Sequence, residues 1–173
     1  MREMRRKDRE VTDEARIDEI ISRCNCCRIG FNDSGEVYIV PLNFGYVKQD
    51  GRRTFYFHSA KEGRKIDLVK EGYEVGFEMD CGYELHPGES PCDCYAEFSS
   101  IIGNGNVSIV ADPDEKILGL QSLMKHTAGK ENCEFRPEML DAVCVFRLDV
   151  DRLTCKVHLL SLIHISEPTR RVV

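Results

Sequence analysis

Apolar residues change their spacing several times along this chain, and each change marks an element. Ala15, Ile17, Ile20, Ile21 and Cys24 fall on one broad face at helical spacing. Asp13 stands ahead of them as a residue able to cap a helix, so residues 13–24 read as an amphipathic helix. The period then shortens. Residues 26–31 and 36–47 are β-rich runs, and Asn32, Asp33, Ser34 and Gly35 between them favour a turn at positive φ, which predicts a hairpin. A second hairpin turns at Lys48, Gln49, Asp50 and Gly51. Its outgoing strand, residues 52–59, sets Phe55 and Phe57 on one side and Thr54, Tyr56 and His58 on the other.

Residues 61–71 predict a short helix closed by Gly72, with Ile66 and Val69 one turn apart, and residues 73–79 predict another strand. Gly82, Pro87, Gly88 and Pro91 make residues 81–94 an expected irregular loop. Residues 95–110 are too long for one flat strand, and Gly103 and Gly105 mark an expected bend or bulge. Pro113 suits the first turn of a helix whose buried face is predicted to carry Ile117, Leu120, Met124 and Ala128. Residues 142–150 and 153–158 close the pattern as two strands. Hairpins interrupted by single helices predict one α+β, mainly β domain over residues 1–158, with a closed or partly closed sheet that exposes few strand edges.

At 173 residues the chain suits a single domain. Its formal net charge of −6 argues against a nucleic-acid partner, since neutralising phosphates needs a basic surface; any anion site must be local. No apolar run approaches the roughly 20 residues that cross a bilayer. Residues 1–10 carry no apolar stretch behind their Arg and Lys residues, so no secretory leader is expected and the protein is expected to be cytoplasmic. Nine cysteines, an odd number, read as reduced thiols rather than a disulfide framework. Residues 160–170 look like the translation of a transposase adaptor used in sequencing libraries. Residues 159–173 are therefore expected to be a non-native tail with no complementary pocket in the core; the alternative is a C-terminal strand, which the alternation around Leu160, Leu162 and His164 also fits.

Candidate chemistry concentrates between Phe55 and Lys65, where a strand runs into a helix start carrying Lys61, Arg64 and Lys65. Cations in a first helical turn oppose the helix dipole, at about 0.3–1 kcal/mol each when exposed. A docked phosphate would reverse the sign, met by first-turn N–H groups, the Ser59 hydroxyl and the Arg64 fork. A solvated basic turn partly offset by Glu62 is the alternative. Pro41 has no N–H for a ladder and belongs at a strand edge or bulge, which also fits a strand partly facing a ligand. His58 stands at the strand end, and histidine, the side chain that titrates nearest neutral pH, suits proton delivery; a structural role is the alternative. His126 reads as a surface or helix-capping residue. Cys81, His86, Cys92 and Cys94 invite a zinc reading, but Cys92 and Cys94 lack the usual spacing and no second pair completes the set, so no metal is expected.

Four segments in order resemble the nitroimidazole-resistance branch of the pyridoxamine 5′-phosphate oxidase superfamily. They are residues 4–9 (MRRKDR), 38–46 (YIVPLNFGY), 58–67 (HSAKEGRKID) and Tyr95 followed by residues 99–105 (SSIIGNG). The likeness covers residues 4 to about 157. It implies an FMN-binding split β-barrel with flanking helices, paired as a homodimer whose subunits together line each flavin site. It implies that Ser59, Arg64 and Lys65, with Lys61 beside them, hold the flavin phosphate. It further implies that the strand through Val40, Pro41, Leu42 and Asn43 lies along the flavin ring, with His58 near ring or substrate. Pyridoxamine phosphate oxidases proper use a C-terminal segment containing tryptophan, and this chain has no tryptophan. The expected chemistry is therefore reduction of a small electron-poor acceptor, such as a nitroimidazole, with electrons from a reductant such as a nicotinamide cofactor. Two other readings are a non-catalytic flavin- or haem-binding module and an interaction dimer with an empty groove.

Overall fold

In the computed structural model, which describes residues 4–159, a 3₁₀ turn (Lys7–Arg9) and a short strand β1 (Glu10–Val11) lead into helix α1 (Glu14–Arg23). The Asp13 carboxylate accepts the Arg16 backbone N–H at 2.7 Å, the cap its position predicts, and Ile17, Ile20 and Ile21 are buried in the main core. Strands β2 (Cys27–Asp33) and β3 (Glu36–Leu42) form the first hairpin, turning at Ser34 and Gly35, both at positive φ. Strands β4 (Gly45–Gln49) and β5 (Arg52–Ser59) form the second, turning at Asp50 and Gly51, again at positive φ. The run expected over residues 36–47 therefore breaks at Asn43 and Phe44.

That break shapes the molecule. Helix α2 (Arg64–Glu71), strand β6 (Glu74–His86), strand β7 (Tyr95–Ile109), helices α3 (Pro113–Ala128) and α4 (Pro137–Ala142), and strand β8 (Cys144–His158) complete the chain. The sheet runs in the order β3-β2-β6-β7-β8-β5-β4, so β3 and β4 stand at its two ends. Yet only two residues join them, a link that spans at most about 11 Å. The sheet must curl until its ends approach, giving a barrel split between β3 and β4. Phe44, in the link, is fully buried and meets Phe55 edge-on at 5.4 Å, and Phe55 meets Phe77 at 5.5 Å. Burying each such ring contributes about 1.5–3 kcal/mol.

Several other boundaries depart from the sequence reading. β6 runs through Cys81 to His86, where a loop was expected, because a register shift between Cys81 and Glu84 absorbs Gly82 as a bulge. The loop that remains is short and holds a 3₁₀ turn (Pro91–Asp93). The expected bend in β7 is found, with a shift against β8 between Asn104 and Gly105. β8 is one continuous strand rather than two, and the short helix α4 ahead of it has no sequence expectation.

On α3 the buried residues are Gly119 and Leu123, while Ile117, Leu120 and Met124 are only half-buried and Ala128 is exposed. The helix backbone lies too close to β4 and β5 for a bulky stripe: a Cβ on Gly45 would stand 2.5 Å from the Leu123 nitrogen, and one on Gly119 2.8 Å from the Tyr56 ring. His126 is not a surface cap; it packs on Phe44 at 4.2 Å, its Nε2 2.8 Å from the Cys24 carbonyl. All nine cysteines are free thiols. No helix among the described residues is long and apolar enough to cross a membrane. The tail expected over residues 159–173 lies outside the described residues except for Leu159.

Candidate functional site

β5 ends at Ser59, half-buried and opposite Cys144 of β8. Four residues separate it from α2, which starts at Arg64, three positions later than the sequence suggested; Lys61 sits exposed in the preceding bend rather than in the first turn. Gly63 precedes the helix at φ 115°, a conformation that side chains rarely permit. Its carbonyl accepts the N–H groups of Ile66 at 2.8 Å and Asp67 at 3.1 Å. The amides of Arg64 and Lys65 therefore stand outside the helix ladder, as first-turn donors do.

Lys65 is half-buried, and burial lowers its pKa, with only Cys144 pulling the other way. Among the described residues no carboxylate pairs with it. Burial pushes the Cys144 thiol up, while Lys116, Lys70, Lys61 and Lys65 all favour its thiolate. Four ammonium groups thus bear on one point beside Ser59. Lys116 is committed, donating to the carbonyls of Leu140 at 2.6 Å and Val143 at 2.8 Å.

Arg64 is placed otherwise. Its guanidinium donates to Asp33 at 2.7 Å, lies 3.1 Å from Glu36 and sits 4.5 Å over the Tyr38 ring, which ties α2 to the β2–β3 hairpin. Its hydrogen bonds to Asp33 and then Glu36 raise its pKa. Both sides of the fork that the sequence reading assigns to a phosphate are occupied. On β3, Val40 and Leu42 pack against the core while Pro41 and Asn43 are exposed, and Pro41 sits on an edge strand as its missing N–H requires. His58 is exposed, opposite Val145. Among the described residues no hydrogen bond, ion pair or ring contact links Val40, Pro41, Leu42 or Asn43 to the turn from Ser59 to Lys65. Cys144, Tyr38, Asp33 and Glu36 are neighbours that the sequence could not supply, because strand pairing and helix packing bring them from distant positions.

The larger clefts lie at the other end of β5. One of about 770 Å³ is lined by Arg52, Arg53, Thr54, Arg147, Asp149 and Arg152, and an adjoining one of about 560 Å³ by Tyr56, Glu115 and Leu118. Arg147 there is paired, 2.6 Å from Glu115 and 3.0 Å from Asp149, while Arg52 is exposed. Tyr56 donates to Glu115 at 3.1 Å, and burial, then that carboxylate, push its hydroxyl up to about 12. Size favours these clefts, but Lys65, beside Ser59 and Lys61, is half-buried with no acid partner among the described residues.

The sequence profile described as pyridoxamine 5′-phosphate oxidase matches residues 13–157. Among solved structures, a protein provisionally assigned to 5-nitroimidazole antibiotic resistance in Bacteroides thetaiotaomicron is 30% identical, with 86% of each chain covered and a TM-score of 0.73. The flavocytochrome Anf3 of Azotobacter vinelandii is 17% identical over 96% of this chain and 79% of its own, with a TM-score of 0.72. An FAD- and haem-binding protein of Mycobacterium smegmatis is 16% identical over 86% and 73%, with a TM-score of 0.71; at such identities these two share the fold. No curated protein matches the sequence. A split barrel, a profile spanning nearly all the described residues and a 30% identical relative agree: the chain belongs to the pyridoxamine 5′-phosphate oxidase family.

Proposed function

We propose that this chain holds FMN by its phosphate at the turn between β5 and α2 and serves as a flavin-dependent reductase of a small electron-poor acceptor, a nitroimidazole or related nitroaromatic. One observation carries the reading: Lys65 is half-buried at the head of α2 with no acid partner among the described residues. Keeping a cation there opposes both burial and the helix dipole. A phosphate would remove that cost, and the donors suit it: the Ser59 hydroxyl, the Arg64 and Lys65 amides, and the Lys61 and Lys65 ammonium groups. Arg64 would join only by leaving Asp33 and Glu36, so its part is secondary. The exposed edge at Val40, Pro41, Leu42 and Asn43 would take the ring, and His58 is the candidate proton donor. A bound flavin supplies the redox chemistry; the chain's own groups bind it, orient it and hold a proton at the His58 imidazole.

Family membership and the resistance assignment of the Bacteroides relative support this reading. No contact among the described residues joins that edge to the turn, which favours a homodimer whose second subunit completes the site. A nicotinamide-type donor would supply the electrons, in the cytoplasm. Titration of FMN into the purified protein, followed by flavin fluorescence, tests the site: FMN should bind and riboflavin, lacking phosphate, far more weakly. The loaded protein, reduced without oxygen, should recover oxidised-flavin absorbance when a nitroimidazole is added. Equal binding of FMN and riboflavin removes the phosphate site. Tight FMN binding without recovery makes the chain a binding module, as does haem binding in FMN's place. Light scattering that shows only monomer with FMN retained removes the dimer.

A further inference from the structure

Away from that turn, the far ends of β6 and β7 hold a second set of groups. Glu84 of β6 stands directly opposite Glu97 of β7, and His86 lies two residues beyond Glu84, on the same face. The bulge after Cys81 creates this arrangement: three steps along β6, from Cys81 to Glu84, match two along β7, from Ser99 to Glu97. Without the extra residue Glu97 would face Tyr83 instead. The bulge thus sets two carboxylates on the face that also carries His86.

Histidine geometry points to what that face can hold. The His86 ring stacks on Tyr95 at 4.7 Å and 9°, which fixes its plane. Its Nε2 is shielded from water yet has no hydrogen-bond partner. Glu84 and Glu97 oxygens lie 3.8 and 3.7 Å from it, beyond hydrogen-bond reach. One donor atom from each of the three residues falls within 4.8 Å of the others. Around a tetrahedral divalent ion with bonds of about 2.0–2.1 Å, donors stand about 3.3 Å apart. A contraction of about half an ångström at each glutamate oxygen would bring the imidazole nitrogen to coordination distance.

We propose that Glu84, His86 and Glu97 form a binding site for a divalent transition ion of the zinc class. Two carboxylates and a neutral imidazole carry two negative charges, which such an ion cancels. Three protein donors leave at least one position for water or a small anion. The sequence reading weighed His86 with Cys81, Cys92 and Cys94; the site proposed here sets it with two glutamates instead.

Zinc titration of the whole protein, followed by calorimetry and by metal content after gel filtration, tests the site. One ion per chain should bind, and His86→Ala and Glu97→Gln should each weaken it at least about a hundredfold while circular dichroism shows the fold retained. A Cys92→Ser/Cys94→Ser double variant should bind as the parent does. Cobalt(II) in zinc's place should show visible d–d bands without thiolate charge transfer. Loss of binding in the cysteine variant, thiolate bands with cobalt, unchanged affinity in His86→Ala, or no binding at all would overturn the site.

Discussion

The two ends of β5 both carry cations but treat them differently. At the Arg53 end the buried Arg53 and its neighbour Lys48 both have acids, while Arg52 is exposed. Arg53, only 8% exposed, donates to Asp18 at 2.7 and 2.9 Å and to Glu14 at 2.6 Å; Lys48 reaches Asp18 at 2.6 Å, and the Tyr46 hydroxyl donates to Asp18 at 2.7 Å. At the Ser59 end Lys65 is half-buried with no acid partner among the described residues, and further ammonium groups gather nearby. One end is satisfied from within the chain and joins α1 to the barrel. The other leaves Lys65 without an acid among the described residues, where the proposed phosphate would sit. Paired cations at one end tie elements together, and the half-buried Lys65 at the other is the cation the proposed phosphate would meet.

The largest expected effect comes from breaking the paired end. Arg53→Ala leaves Asp18 in a half-buried place with only Lys48 and Tyr46, and should cost about 2–3 kcal/mol, below the full penalty for a buried pair because Glu14 is exposed. Denaturant unfolding measures it, and FMN affinity of the folded variant should not change. Lys65→Ala should do the reverse, losing about 1.5–3 kcal/mol of FMN binding, or roughly ten- to a hundredfold in Kd. Stability without ligand should hold or rise, since burial already disfavours the charge. If both variants lost stability alike, the contrast between the ends would fail.

Acid titration sharpens the comparison. Burial opposes ionisation of Asp18, but hydrogen bonds from Lys48, Tyr46 and Arg53 outweigh it and hold its pKa below the ordinary value. A carboxylate depressed in the folded state stabilises above its unfolded pKa, about 3.9, and loses that contribution as pH falls through the folded value. Unfolding free energy should therefore decline below about pH 4, and less steeply in Arg53→Ala. The smallest effect belongs to Arg64→Ala. Its partners are exposed ion pairs, so stability should change by less than about 1 kcal/mol. A loss of FMN affinity as large as that of Lys65→Ala would show that Arg64 leaves Asp33 and Glu36 to hold the phosphate.

Turn and cap chemistry is local, and there the sequence sufficed. Asp13 caps α1, Ser34–Gly35 and Asp50–Gly51 turn the hairpins at positive φ, Gly72 closes α2 in the left-handed region, and β5 runs over the expected residues. The basic turn and its polar strand end were legible as a motif for the same reason, since Ser59, Arg64 and Lys65 lie within one turn's reach. What the sequence left open depended on distant partners. Nothing local breaks the run at Asn43 and Phe44; the break exists because β3 and β4 pair at opposite ends of a curling sheet. The bulge that sets Glu84 against Glu97 is a matter of register with β7. The burial of Arg53 required α1 to bring Asp18 and Glu14. Arg64 could be read as free until the β2–β3 hairpin offered it two carboxylates, and Lys65 as one basic residue among three until packing left it alone without an acid. Local φ/ψ preference and periodicity act within a few residues; charge pairing and burial are settled only when elements far apart in the chain meet.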